Sequence, residues 1–117
     1  MSLSTVAIGP RGMALLNSTV ATLTSGTSYT SAAFDVTPFK QLRVSAYADV
    51  ASAANGLVVA QSPNTTPNYD KESQFTVNAA DVTQGFEVDV IGVRGRIVYT
   101  NGGTNQATFR LYVFGVY

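Results

Sequence analysis

The sequence predicts an all-β fold: a single-domain antiparallel β-sandwich or jelly roll of about eight short strands. Short segments alternate apolar and polar residues, the period of strands that bury one face. Clusters of Gly, Pro, Asn and Ser separate these segments at intervals near the roughly 8–12 residues typical of sandwiches. No segment carries a convincing helical period. With 117 residues, the chain is long enough to bury one core.

The N-terminal half begins with an expected extended arm, residues 1–12, followed by a sandwich domain, residues 13–117. Leu42, Val44, Ala46 and Ala48 show the cleanest alternation in this half. Asn55-Gly56 is a typical hairpin signal, because both residue types tolerate positive φ. The predicted strands of the N-terminal half are 15–23, 29–36, 42–48 and 57–61.

The C-terminal half predicts strands at 75–79 and 86–90, and then a β-hairpin over residues 92–117. Asn101-Gly102-Gly103 supplies the residues of a tight turn between the two hairpin strands. In the strand 86–90 the apolar positions are even-numbered (Phe86, Val88 and Val90), and from Val93 they are odd-numbered. Since a strand cannot change phase without flipping its faces, Ile91-Gly92 is expected to hold a bulge or a turn.

Composition excludes several classes of function. The chain has no cysteine and no histidine, so thiolate and imidazole chemistry are excluded. Seven basic and seven acidic residues cancel without a basic run, which argues against nucleic-acid binding. The first residues lack the pattern of a secretory signal, and no apolar run reaches the length of a membrane span. We expect no membrane partner, no cofactor and no metal.

Carboxylate pairs are the remaining candidates for catalysis. Glu87 with Asp89, and Asp70 with Glu72, are two residues apart and would share a strand face. A solvated strand face is the more common explanation of such pairs, so the sequence predicts that the protein is not an enzyme. Arg94 and Arg96 are expected to pair with Glu87 and Asp89 across neighbouring strands, rather than to hold a phosphate.

The last strand is apolar on both faces. Phe109, Leu111 and Val113 occupy one face and are expected in the core. The other face needs a second cover, which could be the N-terminal arm or a partner subunit, because a monomer rarely leaves such a patch in water. The candidate subunit interface consists of Tyr112, Phe114, Val116 and Tyr117.

Two further segments are candidate contact sites. In the N-terminal arm, Ile8, Pro10 and Arg11 could lie on a partner. The loop over residues 62–70 has two prolines and no apolar period. With Tyr47, its polar and aromatic residues could form a sugar-binding platform. A glycan is therefore a possible partner, but a less favoured one than a virion protein. The loop candidates are Asn64, Asn68, Tyr69 and Asp70.

Four stretches carry a resemblance to a known family. They are tYtSaaFDVtpfkqLrVsayaD at residues 29–49, GlvvaqSPN at 56–64, YD at 69–70, and RgRivYTNGGtnQatFRLY at 94–112. This order of strands and turn residues resembles the small β-sandwich domains of tailed-bacteriophage virions, over residues 15–117. The resemblance rests on strand order and turn residues, without a catalytic signature.

The resemblance implies a non-enzymatic structural protein of the virion. A short arm without a coiled-coil shaft favours a capsid decoration (cement) protein. Such a protein would be made in the host cytoplasm and bind the outer capsid surface as a homotrimer, with the major capsid protein as its partner. A tail, baseplate or head-fibre module is the first alternative, and a carbohydrate-binding attachment module is the second.

Overall fold

A computed structural model of the protein describes residues 12–66, 68–79 and 82–117. Within these residues the chain forms nine β-strands and no helix. The predicted arm residues Ile8, Pro10 and Arg11 lie outside them. The strands are β1 (Met13–Thr19), β2 (Ser28–Thr30), β3 (Phe34–Asp35), β4 (Gln41–Ala48), β5 (Ser52–Ser62), β6 (Lys71–Phe75), β7 (Gln84–Asp89), β8 (Arg94–Asn101) and β9 (Phe109–Val116).

The strands form two antiparallel sheets. Sheet A has the order β1-β9-β4-β7, and sheet B has the order β2-β8-β5-β6. The short strand β3 also pairs with β8, so β2 and β3 together occupy one strand position. With four positions in each sheet, the order is that of a jelly roll. The predicted fold class, an all-β antiparallel sandwich, is confirmed.

The core lies between the two sheets and is filled by alternate residues of each strand. The best example is β4, where Leu42, Val44, Ala46 and Ala48 are buried as the alternation predicted. Tyr99 of sheet B meets Phe109 of sheet A, with ring centroids 4.6 Å apart. Phe75 and Phe86 make a similar contact, at 4.8 Å, where the edge strands β6 and β7 close one side.

The predicted C-terminal hairpin is wrong, because β8 belongs to sheet B and β9 to sheet A. The Asn-Gly-Gly segment begins a crossover between the sheets instead of a tight turn. Asn101 fixes this crossover, since its side-chain Nδ2 donates to the carbonyls of Leu23, Thr24 and Thr104. Such long-range bonds leave no mark in the local residue pattern.

The predicted hairpin at Asn55-Gly56 is also wrong. Both residues lie inside β5, where the pairing with β8 shifts register between Ser52 and Leu57. Asn55 has the positive φ that the sequence suggested, at 53°. A Cβ on Gly56 would stand 2.6 Å from the Thr100 carbonyl oxygen. The pair therefore makes a bulge that brings two backbones together.

The change of apolar phase at Ile91-Gly92 coincides with the passage of the chain from β7 in sheet A to β8 in sheet B. The chain bends at residues 92–93. The buried Gln61 side chain accepts hydrogen bonds from the Ile91 and Gly92 amides, at 2.9 and 3.1 Å. Each strand can therefore bury the residues of its own phase.

The other strands differ from prediction mainly at their ends. The predicted strand 29–36 is interrupted at Ser31, whose hydroxyl accepts a hydrogen bond from the Ile97 amide in place of a backbone carbonyl. The strand expected at 75–79 is β6, which ends at Phe75. The strand expected at 15–23 is β1, which starts earlier and ends at Thr19.

Candidate functional site

The outer face of sheet A carries the candidate site. Register places Leu15, Phe114 and Arg43 side by side on β1, β9 and β4, and Glu87 next to Arg43 on β7. Residues directly opposite each other in an antiparallel sheet share a face. We call this surface the aromatic face and define it as Met13, Leu15, Arg43, Ser45, Tyr47, Gly85, Glu87, Arg110, Tyr112 and Phe114.

Aromatic side chains form the centre of this face. Tyr112 and Phe114 are two residues apart on β9 and half-buried, and their rings are stacked with centroids 6.4 Å apart. Leu15, opposite Phe114, is 55% exposed. The guanidinium of Arg110 lies over the Tyr47 ring, 4.3 Å from its centroid. The result is an apolar surface with polar margins, the composition expected of a protein interface.

One ion pair crosses the face. Arg43 Nε and Glu87 Oε2 are 3.1 Å apart, and both side chains are about half-exposed, so the pair contributes little stability. The expected pairing of Arg94 and Arg96 with Glu87 and Asp89 is wrong, because β7 and β8 lie in different sheets. Arg94 instead lies opposite Asp35 of β3.

A groove of about 510 Å³ runs across the aromatic face. It exists because Gly85 lies opposite Ser45 and projects no side chain into the space above the sheet. A Cβ at Gly85 would meet nothing within 4 Å. The groove is lined by Met13, Arg43, Val44, Ser45, Gly85, Phe86, Glu87 and Phe114.

A second depression, of about 500 Å³, adjoins the groove at Arg43. It is more polar, and lies toward the end of sheet A where Val116, Gln41 and Asp89 share a row. Both depressions are lined by Arg43, and we refer to the two together as the trough. The lining of the second depression is Lys40, Gln41, Arg43, Asp89 and Val116.

The four predicted interface residues have different environments. Tyr112 and Phe114 lie on the aromatic face, as the alternation of β9 indicated. Val116 is only 9% exposed, so the chain itself leaves little of it to contact a partner. Tyr117 is 55% exposed and packs its ring against Phe39, with centroids 4.8 Å apart. Tyr112 and Phe114 are therefore the members that remain accessible on the face.

Sequence reasoning missed Leu15 and Gly85. Leu15 was expected only as a strand residue, and its position beside Phe114 depends on the β1–β9 register. The bulge between Leu15 and Asn17 turns Leu16 toward the core and leaves Leu15 outside. Gly85 lies within β7, although the predicted strand begins one residue later, at 86. A glycine directly before an alternating strand was the one available signal for the groove.

The loop over residues 62–70 is organised by the buried Ser62 hydroxyl. It donates to the Asn64 carbonyl at 2.9 Å and accepts from the Asn68 amide at 2.9 Å. A depression of about 160 Å³ beside it is lined in part by Asp70. The guanidinium of Arg96 covers the Tyr69 ring at 4.2 Å. The loop residues therefore have structural partners within the chain.

The structure does not bring Tyr47 and Tyr69 together. Tyr47 lies on the outer face of sheet A, against Arg110, and Tyr69 lies against Arg96 on the outer face of sheet B. A sugar platform needs neighbouring aromatic rings with an open face, and an arginine occupies one face of each of these rings. The predicted sugar-binding platform that combined Tyr47 with Tyr69 is therefore wrong.

The carboxyl groups of Asp35 and Asp49 have lowered pKa values, and local hydrogen bonds explain both. The amide and hydroxyl of Thr37 hydrogen-bond Asp35 and lower the pKa of its carboxyl. The amides of Thr108 and Ala107 do the same for the pKa of Asp49.

Within residues 12–66, 68–79 and 82–117, no group of three acidic side chains is placed to hold a metal ion. Nor does this part of the chain contain a helix able to span a membrane.

The fold defines a jelly-roll β-sandwich protein with an aromatic face. The sequence matches the family described as "Uncharacterised protein YqxG N-terminal domain" over residues 5–115, and the chain belongs to this family. No curated protein matches the sequence.

Two solved structures are similar to the chain. The PBSX exported protein XepA has a TM-score of 0.68 and 24% identity over 90% of this chain. The similarity covers 37% of XepA, so the chain spans little more than a third of that protein's length. At this identity the similarity shows a shared fold. A chain from Bacillus endospore appendages, described as a novel family of disulfide-linked pili, has a TM-score of 0.42 and 12% identity, covering 99% of this chain and 98% of that one.

Proposed function

We propose that the protein is a non-enzymatic structural protein of a phage virion, and specifically a capsid decoration protein. In this role it binds the outer capsid lattice as an oligomer and stabilises the lattice. The aromatic face is the observation that carries the proposal. Stacked Tyr112 and Phe114, with Leu15 beside them, form an apolar surface that the described part of the sandwich leaves accessible.

The chemistry of this surface fits assembly better than catalysis. The aromatic face combines apolar side chains with an exposed Arg43–Glu87 pair at its margin. Interfaces with an apolar centre and polar rim bind through desolvation of the centre. A protein that binds only the assembled lattice stabilises it by mass action, without any chemical step.

The oligomer and its partner follow from the resemblance to virion domains. We propose a homotrimer that contacts the major capsid protein at the outer surface of the virion, after synthesis in the host cytoplasm. Low charge supports this role, since only 12% of the residues are charged and much of the surface can be buried between proteins.

The experiment is a binding assay on capsids that lack this protein. Purified protein should co-sediment with such capsids and raise the temperature at which they disassemble. Phe114→Asp should abolish both effects, because it places a charge at the centre of the aromatic face. Ile91→Asp is the matched control, since Ile91 is 65% exposed and lies in the crossover between the sheets. Failure of the unaltered protein to bind would remove the decoration role.

A second candidate is a module of a larger tail, baseplate, head-fibre or exported protein. The observation that favours it is the coverage of the exported protein XepA, in which the similar part accounts for 37% of a longer chain. Copy number separates the two candidates. A decoration protein occurs in hundreds of copies per particle, whereas a tail or baseplate module occurs in few.

A further inference from the structure

We propose that the trough on the aromatic face binds residues 6–11 of a second copy of this chain. The proposal rests on the proposed function, since it identifies the partner of the same face. It begins from the shape of the trough. The groove and the second depression are both lined by Arg43, and their linings run from Ser45 of β4 to Lys40, the residue before that strand. That distance is five residues of strand, or about 17 Å.

The N-terminal segment has the length and chemistry to fill this trough. Residues 6–11 are Val-Ala-Ile-Gly-Pro-Arg, which also span about 17 Å when extended. Val6 and Ile8 are two residues apart, so their side chains point to the same side of an extended chain and match the apolar wall formed by Met13, Phe86 and Phe114.

The charges match in the same direction. Arg11 would lie at the polar end, where Asp89 lines the second depression together with Lys40. Within the described part of the chain, Arg43 pairs with Glu87 and no basic group lies within ion-pair distance of Asp89. An arriving guanidinium would therefore find a carboxylate available at that end.

The path of the chain at Gly12 favours a second copy over the chain's own trough. The Tyr117 amide donates to the Gly12 carbonyl at 2.8 Å, which continues the β1–β9 pairing one step beyond Met13 and Val116. At this point the chain runs off the end of sheet A. The groove at Ser45 and Gly85 lies in the other direction along the strands.

The family match supports the assignment of this segment to the domain. It begins at residue 5, ahead of β1, so residues 5–11 belong to the matched unit. Passing a segment to the next copy is a head-to-tail contact, which generates a ring when the rotation closes. The proposed homotrimer would be such a ring.

Disulfide trapping in the full-length chain tests the proposal, because the native sequence contains no cysteine. The variant Ile8→Cys with Ser45→Cys should form cross-links between chains on mild oxidation, seen as dimers and larger species in non-reducing gels. Ile8→Cys with Gln74→Cys is the matched control, since Gln74 is exposed on the outer side of sheet B and should give no ladder. A cross-link confined to single chains, or equal ladders in both variants, would overturn the proposal.

Filling the groove provides an independent test. Gly85→Val adds a side chain where a Cβ meets nothing within 4 Å, so the fold should persist while the inter-chain cross-link is lost. Gly103→Val, at an equally open glycine in the β8–β9 connection, should leave the cross-link unchanged. An undiminished cross-link in the Gly85→Val chain would overturn the proposal.

A charged substitution within residues 6–11 distinguishes a failure of this proposal from a failure of the proposed function. Ile8→Asp should lower the mass of the assembly in light scattering, whereas Ser2→Asp, outside the six-residue segment, should not. If Phe114→Asp lowers the mass and Ile8→Asp does not, the aromatic face stands as an interface and the segment assignment is wrong. If neither lowers it, both proposals fail.

Discussion

Leu15 and Phe114 lie directly opposite each other on β1 and β9, on the outer face of sheet A. Leu15 is 55% exposed and Phe114 is half-buried, so two large apolar side chains meet on the side of the sheet that the core does not cover. Pairs of this kind stabilise a sheet only modestly when they face water. Their position fits the proposed interface, in which a partner would bury them.

The first prediction concerns the close approach of Gly115 to Phe39. A Cβ at Gly115 would lie 2.5 Å from two ring atoms of Phe39, which is buried. Gly115→Ala should therefore lower the free energy of unfolding by about 1–3 kcal/mol, the cost of overpacking. Gly103→Ala, where the added carbon meets nothing, should change it by less than about 0.5 kcal/mol. Chemical denaturation measures both, and equal values for the two variants would contradict the packing described here.

The second prediction concerns the buried hydroxyl of Tyr99. Burial raises the pKa of Tyr99 to about 12, from the ordinary value of 10.0. Because the folded protein holds this proton more tightly than the unfolded chain, the associated stability is complete below pH 10 and is lost as the pH rises toward 12. Tyr99→Phe should remove the part of the stability loss at alkaline pH that comes from this hydroxyl.

At neutral pH, Tyr99→Phe should leave the protein as stable or raise the free energy of unfolding by up to about 1 kcal/mol. Among the described residues the Tyr99 hydroxyl has no hydrogen-bond partner, so its removal relieves a desolvation cost. Denaturant unfolding of both proteins from neutral to alkaline pH measures the difference. A clear loss of stability at neutral pH would show that the hydroxyl is paired.

The third prediction concerns Asp49, which accepts hydrogen bonds from the Ala107 and Thr108 amides just before β9. These bonds lower the pKa of Asp49 below 3.8, so the stability they contribute is present above that pH and is lost as the pH falls below it. Asp49→Asn should therefore destabilise the protein near neutral pH. The difference from the unaltered protein should shrink in acid, and a difference independent of pH would contradict the role of the carboxylate charge.

The fourth prediction concerns the bulge in β5. Asn55 has a φ of 53°, a conformation that β-branched residues avoid. Asn55→Val should cost about 1–2 kcal/mol of unfolding free energy, while Asn55→Gly should be nearly neutral. Val at Ala54, an exposed neighbour without positive φ, is the matched control. Equal stability of Asn55→Val and Ala54→Val would argue against the bulge.

The fold class could be predicted because alternation is a local property of each strand. Residues 42–48 give the clearest case, where every second residue is apolar and the structure buries those residues in β4. The change of phase at Ile91-Gly92 was also visible in the sequence, and the structure shows that it marks a passage between sheets.

The assignment of strands to sheets could not be predicted, because it depends on contacts between distant residues. Asn101 and Asn55 both gave hairpin signals from their tolerance of turn conformations. Asn101 instead bonds to carbonyls about eighty residues away in sequence, and Asn55 forms a bulge within one strand. Local propensity permits several turn types, and the pairing of the sheets selects among them.

The aromatic face could be predicted only in part, because some of it depends on contacts between distant residues. Alternation within β9 identified Tyr112 and Phe114, since both faces of a single strand can be read from one segment. Leu15 and the groove above Gly85 required the register of β1, β4 and β7, which no local pattern contains.

The central claim, that the aromatic face is an interface between proteins, is tested most directly by the mass of Phe114→Asp in solution. Light scattering should show a multimer for the unaltered protein and for the Ile91→Asp control, whose substituted residue is 65% exposed away from this face. Phe114→Asp should shift the mass to that of a 12.3 kDa monomer while the protein stays folded. An unchanged mass for Phe114→Asp would contradict the claim.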